Sequence, residues 1–154
     1  MTETRYYHLT MKSLEQALPQ LLSKTLGRGW RAVVMVSDEA RVEALNTLLW
    51  TYNDAAFLPH GSAKDGEGPH QPVWLTMEDE NPNGASVLFL CDGRNSDKLE
   101  DYDLVCRLFD GNDEEALKAA RSSWKTQKDA GHKLTYWQQS DSGAWQMKAE
   151  ANQE

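Results

Sequence analysis

Ala32-Val33-Val34-Met35-Val36 is the stretch that decides the fold. Five apolar residues, mostly β-branched and polar on neither face, fit a short central strand covered by helices on both sides of its sheet. The flanks agree. Upstream, residues 5–9 read as a strand, and Ser13 followed three residues later by Gln16 is a helix-starting capping box. Leu14, Ala17, Leu18, Leu21, Leu22 and Leu26 then form one apolar stripe, which Gly27 and Gly29 end and Pro19 should kink. Downstream, Asp38 opens a second helix through about Tyr52, with Val42, Leu45, Leu49 and Tyr52 on one face. Strands are predicted at 73–76, 86–91 and 104–109, separated by turn chemistry such as Asn81-Pro82-Asn83-Gly84. Asp113, Glu114 and Glu115 place acids at the start of a third helix, Lys125 and Lys128 lie near its end, and Gly131 closes it. Residues 133–138 and a segment around Trp145 complete the pattern. The alternation predicts a three-layer α/β/α domain with a mostly parallel, mixed sheet over residues 1–148, followed by a frayed C-terminal tail at 149–154.

The chain has 154 residues and a formal net charge of -8, with 24 acids against 16 Lys and Arg. That balance opposes the counterion release that drives proteins onto phosphate backbones, so nucleic-acid contact is expected to be mainly indirect. The longest apolar runs, residues 32–36 and 87–91, are far short of the roughly 20 residues that span a bilayer. With no apolar segment at the N-terminus, no secretory signal and a cytoplasmic location are expected. Cys91 and Cys106 sit among apolar neighbours 15 residues apart, which suits buried thiols and no metal-ligand spacing.

An α/β domain of this kind invites a test for nucleotide chemistry. Gly61-Ser62-Ala63-Lys64-Asp65-Gly66 begins like a phosphate loop, but Glu67 and Gly68 stand where Lys and Ser or Thr would hold phosphate and magnesium. His60 and His70 share this Gly- and Pro-rich loop with Asp65 and Glu67, in a setting that fixes no ligand geometry, so loop-anchoring or exposed histidines are the plainer reading. No catalytic residues, metal or cofactor are expected. A nucleotide-dependent enzyme of similar fold stays as the alternative.

Two surfaces stand out instead. On the second helix Trp50 falls opposite the apolar face, and Phe57 follows seven residues later. Either the pair anchors a partner, as aromatics do in binding hot spots, or the long loop after the helix folds back over Trp50. On the third helix Lys118, Arg121, Lys125 and Lys128 fall within about 80° of arc, with Leu117 and Trp124 beside them. A cationic ridge bordering an aromatic suits an acidic peptide that carries an apolar residue or a terminal carboxylate. A solvated helix face with Lys at its favourable end gives the same pattern.

Tyr6-Tyr7-His8-Leu9, Trp30 ahead of the strand at 32–36, Leu49-Trp50 through Phe57-Leu58-Pro59-His60, and Arg121 with Trp124-Lys125 through Gly131 together resemble the chi subunit of bacterial DNA polymerase III. The resemblance implies a nucleotide-binding-like fold without a phosphate loop. It also implies a non-catalytic adaptor that links the clamp-loader complex to single-stranded DNA-binding protein by gripping that protein's acidic C-terminal tail. The positions matching the family's tail-binding helix are Arg121, Trp124, Lys125 and Lys128, with Lys118 and Leu117 beside them. Trp50 and Phe57 match the face that meets the psi subunit, or another clamp-loader subunit where psi is absent.

Overall fold

The computed structural model describes residues 2–51, 60–62, 71–142 and 144–152. Its elements are β1 (Glu3–Leu9), α1 (Leu14–Gly27), β2 (Ala32–Met35), α2 (Glu39–Thr51), β3 (Gly61–Ser62), β4 (Val73–Thr76), β5 (Val87–Leu90), β6 (Leu104–Asp110), α3 (Glu114–Asp129), β7 (Lys133–Gln139) and β8 (Trp145–Ala151). They form one sheet in the order β3-β4-β2-β5-β6-β1-β7-β8. Every pairing is parallel except β7 with β8. The fold is thus the expected three-layer α/β/α arrangement, with a mostly parallel mixed sheet.

β2 lies inside the sheet between β4 and β5, and all four of its residues are buried. Its side chains alternate between two cores. Ala32 and Val34 join Leu18, Leu22, Val42, Leu45 and Phe89 under α1 and α2. Val33 and Met35 join Trp74, Leu88, Leu90 and Tyr102 on the other face, part of which α3 covers. A run polar on neither face is what burial on both sides demands.

α1 starts where the capping box predicts, and its Gln16 arm forms, with the Ser13 N–H donating to Gln16 Oε1 at 3.0 Å. The helix runs through Pro19 to Gly27, and Gly29 takes a left-handed φ of +79° as the chain turns toward β2. The turn at 81–84 has a buried anchor: Asn83 Nδ2 donates to the Gln71 carbonyl at 2.8 Å and the Ala32 carbonyl at 3.1 Å, joining the entries to β4 and β2. Asn83→Ala is expected to cost about 1–3 kcal/mol by orphaning those carbonyls, read as a lower midpoint in urea with an unchanged slope.

The tail corrects its expectation. Residues 149–151 belong to β8, which pairs antiparallel with β7, Ala151 is buried, and Asn152 Nδ2 donates to the Lys128 and His132 carbonyls. Backbone pairing and the closing of α3's C-terminal end replace the fraying that the polar composition suggests. Gly61 and Ser62 are a second departure, because this two-residue strand is paired in parallel with β4.

Among the described residues, no helix is long and apolar enough to cross a membrane. No group of three or more His, Cys, Asp or Glu among them could hold a metal ion. Both thiols are buried, and burial pushes Cys106 up to about 12 and Cys91 further, which keeps them protonated and unreactive.

Candidate functional site

α3 is set by its ends. Asp113 Oδ1 accepts the Glu115 N–H at 3.0 Å and the Ala116 N–H at 3.3 Å, and Gly131 takes a left-handed φ of +88° just past the last turn. With the helix so fixed, Ala120 and Gln127 face the sheet, while Lys118, Arg121, Lys125 and Lys128 are all exposed. The ridge read from helical spacing is therefore a real surface feature, and no salt bridge between any of its four cations and a described carboxylate is present.

Trp124 is half-buried and seats itself on aromatic rings from two strands. It meets Tyr6 of β1 edge-on at 5.3 Å between centroids and Tyr136 of β7 edge-on at 5.8 Å. Tyr6 stacks on Tyr136 at 6.3 Å, and Phe109 of β6 approaches Tyr136 at 6.0 Å. Leu117 is also half-exposed, outside this cluster. The seat is held from below: the Tyr6 hydroxyl donates to Gln127 Oε1, so the Ser123 hydroxyl, 2.9 Å away, donates to Tyr6.

His8 and Tyr136 are the members of this site that helical spacing does not reveal. His8 Nδ1 and the Tyr136 hydroxyl lie 2.8 Å apart. Burial, then the positive charge of Arg121, hold the His8 imidazole below its ordinary pKa, against a smaller opposing pull from Asp110. Burial raises the Tyr136 hydroxyl, and Arg121 opposes that. Arg121 thus lies in electrostatic reach of both. Gly111 permits the packing, because a Cβ there would collide with the His8 ring.

The helix that carries Trp50, α2, lies on the other face of the sheet from α3. Trp50 is on the last turn of α2, and Phe57, with Tyr52, Lys64, Asp65, Glu67 and His70, lies outside the described residues. His60 is buried, in keeping with a loop-anchoring role.

An α/β sheet of this kind would hold a nucleotide at the carboxyl ends of neighbouring strands whose helices diverge. β1 and β6 are neighbours whose onward helices pack on opposite faces, and a cavity of ≈910 Å³ opens at their carboxyl ends. Its lining includes the carboxylates Glu15, Asp92, Asp110, Asp113 and Glu115 and the cations Lys12, Arg41, Arg94 and Arg107. The first free amides of α3 are already occupied by Asp113, and Arg41 is committed to Glu15 at 3.0 Å and Asp92 at 3.1 Å. A phosphate at that helix end would displace a carboxylate and sit beside others, which disfavours it.

Residues 1–135 match the family model described as DNA polymerase III chi subunit, HolC. A curated relative named probable DNA polymerase III subunit chi, from Rickettsia prowazekii (strain Madrid E), is 36% identical over 90 residues, which is 58% of this chain and 54% of that protein. The chain thus matches about half the length of that relative. All of α3 lies within the family match, whereas Tyr136, Trp137 and β8 lie beyond it.

Proposed function

Because the chain belongs to the DNA polymerase III chi-subunit family, we propose that it works in the cytoplasm as a non-catalytic adaptor, linking the clamp-loader complex to single-stranded DNA-binding protein. The observation that carries this reading is the exposed cationic ridge of α3 beside the half-buried Trp124. Arg121, Lys125 and Lys128 pair with carboxylates of the acidic tail, Lys118 extends the ridge, and Trp124 with Leu117 receives the tail's apolar end. Exposed pairs contribute only about 0–1 kcal/mol each, so the contact is weak to moderate and fades as salt rises. Titrating a synthetic acidic tail peptide at low and high salt tests it: saturable, salt-sensitive binding is expected, and its absence at low salt refutes the reading. The nucleotide-dependent alternative is disfavoured by the Asp113 carboxylate, which already occupies the free amides at the start of α3.

The Arg121–His8 proximity adds a pH dependence. His8 is held below its unfolded pKa of about 6.5, so the folded chain loses stability as pH falls through that lowered value. A carboxylate bound at Arg121 offsets the charge that disfavours protonated His8 and raises its pKa. The complex then binds more protons than the free chain, so the peptide should bind more tightly as pH falls from about 7.5 toward 5.5. His8→Gln should flatten that trend; a trend of opposite sign, or one unchanged in His8→Gln, contradicts the coupling.

The second contact, to psi or another clamp-loader subunit, is assigned to Trp50 and Phe57. Trp50→Ala should leave thermal stability nearly intact while weakening capture of the clamp-loader complex. Destabilisation by several kcal/mol would instead make Trp50 a core residue.

A further inference from the structure

A smaller cavity, ≈200 Å³, opens on the α1 side of the sheet, away from the α3 ridge. Its walls include three indoles, Trp30, Trp137 and Trp145, over a floor that contains Phe89 and Cys106. It is smaller than the roughly 300–1,000 Å³ pockets that enclose whole small-molecule ligands, so it suits one ring of a longer chain. Its charged lining is Arg5, Lys24 and Arg28, with no carboxylate, which is unusual in a chain of net charge -8.

The three cations are not equivalent. Arg5 is committed to Glu3 at 2.9 Å. Lys24 and Arg28, four residues apart where α1 ends, project from the same side and have no described carboxylate within salt-bridge distance. The Arg28 guanidinium lies 5.3 Å from the centre of the Trp30 ring, and Trp30 is 39% exposed. Two of the polar groups in the wall are committed: the Trp137 N–H donates to Thr135 and the Thr25 hydroxyl to the Leu21 carbonyl. What remains is aromatic surface within and positive charge at the rim.

We infer that this cavity binds single-stranded nucleic acid, stacking one base on Trp30 and its neighbouring indoles while Lys24 and Arg28 hold the adjoining phosphates. An acidic peptide suits it less, since its apolar end would use the cavity without its ring faces, whereas a base stacks on an indole while its own phosphates reach Lys24 and Arg28 at the rim. Stacking accepts any base, so the site discriminates little between sequences. The overall negative charge confines the contact to a single anchor and prevents coating. Trp137 and Trp145 lie beyond the family match, on the antiparallel β7–β8 pair.

Anisotropy of a fluorescein-labelled oligothymidylate, titrated with the whole chain, tests the inference. Saturable binding is expected, falling about 7-fold between 50 and 200 mM salt if two phosphates are neutralised. Trp30→Ala should weaken it by about fivefold or more. Lys24→Ala with Arg28→Ala should weaken it and abolish the salt slope, which keeps the test decisive even if Trp30→Ala misfolds. Arg121→Ala with Lys125→Ala should leave it unchanged, which separates this site from the tail ridge. No binding at 50 mM salt, equal affinity and slope in the α1 variants, or loss only in the α3 variant overturns the inference. So does an acidic peptide whose binding, unlike the oligonucleotide's, depends on Trp30.

Discussion

Tyr6→Ala is expected to destabilise the protein by about 4 kcal/mol, near the middle of the range for removing a buried aromatic. Tyr6 is fully buried, and its ring touches both Trp124 and Tyr136. Its hydroxyl is the partner of Gln127, itself buried, so the substitution removes packing and orphans a polar group together. For a chain of this size the melting temperature should fall by about 8–16 °C. Tyr6→Phe separates the causes. It keeps the ring and loses only the hydrogen bonds, so it should cost about 1–3 kcal/mol. Equal losses in the two variants would mean that the hydroxyl network, and not the rings, holds α3 to the sheet. Tyr6→Phe should also retain peptide affinity, because Trp124 keeps its seat.

The second large effect is on binding. Arg121→Ala combined with Lys125→Ala should weaken the tail peptide by up to about 30-fold at low salt, from roughly 1 kcal/mol lost per pair. Folding should change by less than about 0.5 kcal/mol, since both side chains are exposed and unpaired with any described carboxylate. The difference between wild type and double variant should shrink as salt approaches 1 M, where charges are screened within about 3 Å. A loss of affinity accompanied by unfolding would point to structure; a clean loss points to contact.

Most of the architecture was legible because its signals are local. The run at 32–36, the Ser13–Gln16 pair and the acids at 113–115 each act within one turn or one strand. So did the ridge, because helical spacing alone puts Lys118, Arg121, Lys125 and Lys128 together. His8 and Tyr136 were hidden for the opposite reason. They meet only because β7 returns beside β1 across more than 120 residues, and in that register Tyr6 pairs with Tyr136. No periodicity encodes such a parallel crossover. The strand at 145–151 was legible only in part, since its outward residues Gln146, Met147, Lys148 and Glu150 are exposed and read as loop or tail. Gly61–Ser62 is too short to carry a strand pattern at all.

The distribution of charge is what connects structure to the proposed role. Five carboxylates and four cations line the sheet cavity, where a nucleotide would sit, while the exposed cations on α3 and at the end of α1 have no described carboxylate partner. An acidic body with two small cationic surfaces repels nucleic acid as a whole and still offers defined places for anionic segments.

Amide chemical-shift mapping of the whole isotope-labelled chain, titrated with the acidic tail peptide, tests the account most directly. The tail-binding reading predicts that perturbations concentrate on residues 117–128 and extend to His8 and Tyr136. Perturbations centred on the end of α1 or on the sheet cavity, or none at saturating peptide, would contradict it.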